Sequence, residues 1–107
     1  MTKEYNGWTN YETWNVKLWL DNDEGAVQYW AELAAEHFHG ADGENAADSA
    51  ELAKYSLRTH LEEEIKGNAP KLTGTYADLL GAALSEVNWY EIASHIVDDA
   101  IELEEAS

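Results

Sequence analysis

The sequence predicts an all-α protein, a compact bundle of four to five amphipathic helices. Apolar residues recur at helical spacing in several windows, and no window alternates with period two over more than four residues. Residues that cap helices precede most of these windows. The chain has 107 residues and is 45% hydrophobic, which suits one core, so we expect residues 1–107 to form a single domain.

A first helix is predicted directly after Thr9. Thr9 and Glu12 have the spacing of a capping box, in which the hydroxyl and the carboxylate each accept a backbone hydrogen bond. The following aromatic and aliphatic residues cover most of the helical circumference. Only a narrow strip near Thr13, Lys17 and Asp21 is polar, so we expect this helix to be largely buried.

Four further helices are predicted from periodicity and end signals. One starts after Asn22 or Asp23 and stops at Gly40, and another runs from about Ala46 to Lys66. The apolar positions of these two are Val27, Trp30, Ala34 and Phe38, then Ala50, Ala53, Leu57, Leu61 and Ile65. The remaining two helices follow the capping pairs Thr75/Asp78 and Asn88/Glu91. Their apolar faces are Tyr76, Leu79, Leu80, Ala83, Leu84 and Val87, then Trp89, Ile92, Ala93, Ile96, Val97 and Ala100.

The tryptophans are interpreted mainly as core residues. Trp14, Trp19, Trp30 and Trp89 lie on predicted apolar faces, and Trp8 is positioned to pack against the first helix. The aromatic surplus of so small a core also allows a homodimer.

Net charge is the most unusual property of the chain. It holds 22 acids and 6 bases, a formal net charge of −16. Residues 21–52 contain nine acids and no base, and residues 76–107 contain eight acids and no base. Such a protein is repelled by nucleic acid and by anionic lipid, so we expect neither direct nucleic-acid binding nor membrane binding. It is attracted to basic surfaces, which are commonly those that grip DNA or RNA.

The expected subcellular location follows from features that the sequence lacks. There is no cysteine, and no apolar stretch approaches the roughly 20 residues that span a bilayer. The N-terminus, Met1 to Tyr5, shows no basic region followed by an apolar run, so we expect no signal peptide and a cytoplasmic protein.

The four histidines offer little for catalysis or metal binding. His37 and His39 are two residues apart and point away from each other on a helix. His60 and Glu64 have the spacing of two metal ligands, but no third or fourth ligand is evident. We therefore interpret the histidines as ordinary surface or core-edge residues.

The other functional motifs considered are incomplete or absent in this sequence. Asp21, Asp23 and Glu32 match three places of a calcium loop, but Ala26 occupies the position that requires glycine. No nucleophile triad or phosphate-binding glycine motif is present. The sequence therefore predicts a non-enzyme without a metal or another cofactor.

Two segments resemble a known group of proteins. They are Asn10-Tyr11-Glu12-Thr13-Trp14 and Val87-Asn88-Trp89-Tyr90-Glu91-Ile92-Ala93. Together they resemble a family of small phage, plasmid and prokaryotic proteins with N-Y-E-T-W near the start and N-W-x-E-I-A near the end. That family has no assigned activity, so the resemblance implies a mobile-element setting and no catalytic residues.

The leading functional hypothesis is a protein that imitates nucleic acid. Its carboxylates would pair with the Lys and Arg of a DNA-binding groove on a host enzyme such as a restriction enzyme, a uracil-DNA glycosylase or a CRISPR effector. The candidate contacts in the first acidic block are Glu36, Asp42, Glu44, Asp48 and Glu51. Those in the second block are Asp98, Asp99, Glu102 and Glu105.

Two other hypotheses stay open. The first is a structural or accessory protein whose acidity is an adaptation to a salty cytoplasm, which would gain stability as salt screens its self-repulsion. The second is an acidic helical adaptor that binds a basic protein without imitating DNA. The sequence does not separate these alternatives.

Overall fold

The computed structural model describes residues 4–106 and folds them into five α-helices, so the all-α prediction is confirmed. Met1 to Lys3, within the segment considered for a signal peptide, and Ser107 lie outside the described residues. The helices are α1 (Tyr11–Asp21), α2 (Glu24–Gly40), α3 (Ala46–Gly67), α4 (Gly74–Ser85) and α5 (Trp89–Ala106). Within residues 4–106, the one β-type pairing is an isolated bridge between Tyr5 and Trp8.

Four helices have an N-cap residue whose side chain accepts a hydrogen bond from a backbone N–H in the first turn. The capping residues are Asn10, Asp23, Asn45 and Asn88. Two predicted capping boxes are wrong. Asn10 caps α1 in place of Thr9, and α4 begins at Gly74 after Thr73, whose side chain makes no capping hydrogen bond.

The core lies between α2, α3 and α5. Its buried apolar residues on these helices are Trp30, Ala34, Ala53, Leu57, Leu61, Trp89, Ile92, Ala93, Val97 and Ala100. The stripes predicted for α3 and α5 are thereby confirmed. α2 and α3 run antiparallel, because Tyr29 bonds to Glu64 at one end and His37 contacts Ser56 towards the other.

The extensive burial predicted for α1 is wrong, because Thr13 is its only buried residue. Within the polar strip, Thr13 is fully buried and the side chain of Lys17 is only 13% exposed, whereas Asp21 is exposed. Trp19, assigned to the core, is 66% exposed, and Tyr11 is also exposed. Periodicity does not distinguish the two sides of this helix, because apolar residues cover most of its surface.

The remaining tryptophans are also buried to different extents. Trp30 and Trp89 are buried as predicted, whereas Trp14 is only partly buried and packs against the Tyr5 and Tyr11 rings. Trp8 is partly buried, and its ring lies 4.3 Å from that of His95 on α5. Its aromatic partner is therefore on α5 and not on α1, where a staple was expected.

The apolar face of α4 is formed but is not buried. No residue of α4 is buried, and its contact with the core is made near its end by the partly buried Leu84. Tyr76 and Leu79, predicted to pack inward, are 72% and 62% exposed. The helix itself was correctly predicted, but only part of its predicted apolar face is covered: Val87 is buried, and Leu80 and Leu84 are partly buried.

Candidate acidic binding surface

The connection between α2 and α3 carries two of the candidate acids and is held close to α3. Asn45 caps α3 by accepting a backbone hydrogen bond at 2.9 Å. A Cβ added at Gly43 would lie 2.5 Å from the backbone nitrogen of Ser49, so a larger residue would push this connection away. Glycine therefore keeps Asp42 and Glu44 beside the first turn of α3.

The five candidate acids of the first block lie on one surface. Four of them line a single depression: Asp42, Glu44, Asp48 and Glu51. The rest of its wall includes Leu52 and Tyr55, both about half exposed. Glu36 lines the neighbouring depression, which shares Asp42 and Leu52 with the first. All five acids are exposed.

Two contacts join this surface to α5. The Tyr90 hydroxyl donates a hydrogen bond to the Glu51 carboxylate, and the Tyr90 and Tyr55 rings lie 5.0 Å apart. The Lys54 ammonium lies 3.0 Å from the Asp98 carboxylate. The hydrogen bond to Glu51, aided by partial burial, raises the pKa of Tyr90 to about 12. Asp98 therefore lies on the same α3–α5 seam as Glu51.

The four candidate acids of α5 do not share one face. Asp98, Glu102 and Glu105 are spaced i, i+4 and i+7, so they follow one exposed ridge. Asp99 is about 100° further round the helix. It lines an apolar pocket of about 180 Å³ between α1, α2 and α5, together with Trp30 and Leu103. Asp99 is exposed like the others but points to a different part of the surface.

Most of these carboxylates carry uncompensated charge. Among residues 4–106, three Lys side chains form ion pairs: Lys17 with Asp21, Lys54 with Asp98 and Lys66 with Glu62. Of the nine candidate acids, only Glu51 and Asp98 have a side-chain hydrogen bond or ion pair within that range. The other seven are exposed to solvent.

Two histidines of α2 contact side chains of other helices, and His60 contacts Glu64 one turn further along α3. His37 lies 2.7 Å from the Ser56 hydroxyl, and its pKa is lowered by burial and by nearby His60. His60 and Glu64 are 3.3 Å apart, while His39 lies 2.8 Å from Glu104. No group of three or more His, Asp or Glu side chains within residues 4–106 is arranged to hold a metal ion.

The two segments that carry the resemblance meet in space. The Asn10 side-chain amide donates to the Glu86 carbonyl at 2.6 Å, and its oxygen accepts from both the backbone N–H and the hydroxyl of Thr13. The Thr13 hydroxyl oxygen in turn accepts from the Asn88 backbone N–H at 2.8 Å. This network satisfies buried polar groups and fixes the start of α1 against the start of α5.

Further hydrogen bonds surround this network. The Glu91 carboxylate accepts the Thr9 backbone N–H at 2.9 Å, and the Asn88 side-chain amide donates to the Thr9 hydroxyl at 3.2 Å. Asn88 caps α5 as predicted, by accepting the Glu91 backbone N–H at 3.0 Å, and the Glu91 carboxylate bonds to Thr9, 82 residues away in the sequence. The two segments therefore have a direct structural role.

Sequence reasoning missed two residues of the acidic surface, Lys54 and Tyr90. Lys54 was treated only as part of the charge count, and its pairing with Asp98 depends on how α3 and α5 pack. Tyr90 occupies the variable position of the second segment, and no local signal connects it with Glu51, 39 residues earlier. The alternation of charge blocks gives no indication of either contact.

A family model described as a family of unknown function, DUF7249, matches residues 1–106. The chain belongs to this family. No curated protein and no solved structure matches it. Membership in DUF7249 agrees with the expected resemblance to a family without an assigned activity. In residues 4–106, no helix has the length and apolar character needed to cross a membrane.

Proposed function

We propose that this DUF7249 protein is a non-catalytic acidic binding protein that imitates nucleic acid. Its target is the basic, DNA-binding groove of a host DNA-processing or defence enzyme, and it originates from a mobile element. The observation that supports this best is the shared surface of Glu36, Asp42, Glu44, Asp48 and Glu51.

The spacing of the carboxylates suits such a target. Residues four apart on a helix rise about 6 Å, which is comparable to the separation of neighbouring phosphates. Asp98 and Glu102 on α5 have this spacing, and Glu105 follows three residues later on the same ridge. Seven of the nine acids lie on helices, and a helical backbone presents them without the backbone ordering cost of a flexible tail, which favours pairing with Lys and Arg.

Apolar groups among the acids provide a second kind of contact. Leu52 and Tyr55 are 47% and 54% exposed within the wall of the acidic depression. Exposed aromatic residues at the centre of an interface often contribute most of its binding free energy. A groove that binds DNA offers matching apolar surfaces where it contacts sugars and bases.

Affinity capture from prokaryotic lysate tests the proposal. The bait is the wild-type protein, and the test variant carries Asp42→Asn, Glu44→Gln and Asp48→Asn. A matched control, Glu24→Gln, Glu32→Gln and Glu63→Gln, removes the same charge from exposed sites outside the candidate set. We expect wild type and control to retain a DNA-binding enzyme that duplex DNA displaces, and the test variant to lose it.

A fourth bait, with Asp98, Asp99, Glu102 and Glu105 changed to Lys, tests the α5 acids. Complex formation by the wild type is expected to weaken steeply as salt rises, since the interface is made of paired charges. The mimic is rejected if DNA displaces nothing, if salt barely changes the affinity, or if test and control variants bind equally.

A further inference from the structure

α4 is an amphipathic helix, and much of its apolar side is left uncovered by the other described residues, 4–106. Tyr76, Leu79, Ala82 and Ala83 are exposed on its outer side, and Leu72 just before it is 42% exposed. The half-buried residues Ala77, Leu80 and Leu84 face the rest of the protein. Monomeric soluble proteins rarely leave such an apolar stripe in water, so it is suited to an interface.

The charge of the α4 segment favours a second copy of the chain as the partner. Residues 67–85 contain one base, Lys71, and one acid, Asp78, and their formal charges cancel in a chain of net charge −16. A basic partner would gain little there, since the acids that attract it lie elsewhere. Two copies of this chain repel each other over most of their surfaces but not across this neutral segment.

We infer that α4 is a homodimer interface, in which a second copy of the chain covers Tyr76, Leu79 and their exposed neighbours. The inference does not depend on the proposed function, because it concerns a different surface. A closed two-fold pair is the commonest arrangement of identical chains, and it brings each copy's Lys71 and Asp78 to the same neutral interface. A standard interface buries roughly 800 Å² per partner, and a contact made through a single helix is expected to give a weaker dimer, in the micromolar range.

Analytical ultracentrifugation over a concentration series tests the interface. Wild type is expected to change from one chain of 12.0 kDa to twice that mass as concentration rises. Leu79→Glu is expected to raise the dissociation constant by at least about tenfold, since it puts a charge into the apolar stripe. Leu103→Glu is the matched control, because Leu103 is 69% exposed on α5, and it is expected to dimerise like wild type.

The dependence on salt distinguishes dimerisation through α4 from binding to a basic target. Raising salt from about 50 mM to about 500 mM screens the repulsion between two acidic copies, so the dimer is expected to strengthen. Binding to a basic groove is expected to weaken under the same change. Failure of one proposal is therefore distinguishable from failure of the other.

A single-cysteine variant locates the contact, since the natural chain has no cysteine. Ala82→Cys, on the outer side of α4, is expected to form an intermolecular disulfide under mild oxidation. Ala47→Cys, equally exposed on α3, serves as the control and is expected to remain reduced. The inference is overturned if wild type stays monomeric at about 0.5 mM in high salt. It is also overturned if Leu79→Glu dimerises normally, or if both cysteines cross-link equally.

Discussion

The Thr13 hydroxyl lies between the start of α1 and the start of α5, where it is fully buried. It donates to the Asn10 side chain at 2.6 Å and accepts from the Asn88 backbone at 2.8 Å. Substitution by valine, which has the same shape, would leave the part-buried Asn88 backbone N–H without this acceptor, which costs more than the bond itself contributes. The Asn10 oxygen would keep its bond from the Thr13 backbone N–H. Thr13 is therefore a residue on which the closure of the bundle depends.

Thr13→Val is expected to lower the free energy of unfolding by about 2–4 kcal/mol, since it removes both hydrogen bonds. Urea unfolding followed by circular dichroism measures the change. Thr59→Val is the matched control, because Thr59 is exposed and bonds only to a backbone carbonyl of its own helix. Its cost is expected to stay within about 1 kcal/mol. Equal effects at both sites would contradict the assigned role of Thr13.

At the scale of helices, α3 and α4 show that similar sequence patterns can have different structural outcomes. The stripe of α3 is buried between α2 and α5, and Leu57 and Leu61 have no exposed surface. The stripe of α4 is equally regular but remains outside. Helical periodicity indicates that a face is apolar, and the other helices decide whether that face is covered.

Leu57→Ala and Leu79→Ala make a matched comparison of these two helices. The first creates a cavity in the core and is expected to cost about 2–5 kcal/mol of unfolding free energy. The second removes an exposed side chain and is expected to cost no more than about 0.5 kcal/mol. Both are measured at low protein concentration, where association through α4 is absent. A large cost at Leu79 would show that α4 packs differently from the arrangement described.

At the scale of the whole molecule, repulsion among the acidic residues destabilises the folded state. The net charge is −16, and in residues 4–106 the ion pairs of Lys17, Lys54 and Lys66 neutralise only a few acids. Exposed ion pairs stabilise folded proteins only slightly. The acids along α5 lie at spacings where like charges repel. The folded state is therefore expected to be least stable at low ionic strength.

The melting temperature is expected to rise as salt increases from about 10 mM to about 1 M, where the screening length falls from about 30 Å to about 3 Å. Neutralising Glu44, Asp99, Glu102 and Glu105 to their amides is expected to flatten this dependence. Differential scanning calorimetry measures both proteins across the salt series. Salt-independent melting of wild type would argue against self-repulsion, and against salt adaptation as the origin of the acidity.

The sequence by itself determined the helices, the stripes of α3 and α5, and the exposure of the acids. These properties are local, because periodicity, capping side chains and charge each act within a few turns of helix. Only the tertiary structure decided that Thr13 faces inward and Trp19 outward. It also decided that Glu51 meets Tyr90, that Asp99 lines a pocket with Trp30 of α2, and that much of the apolar face of α4 is exposed. These features depend on how helices that are distant in the sequence pack against one another, and local sequence signals do not specify that packing.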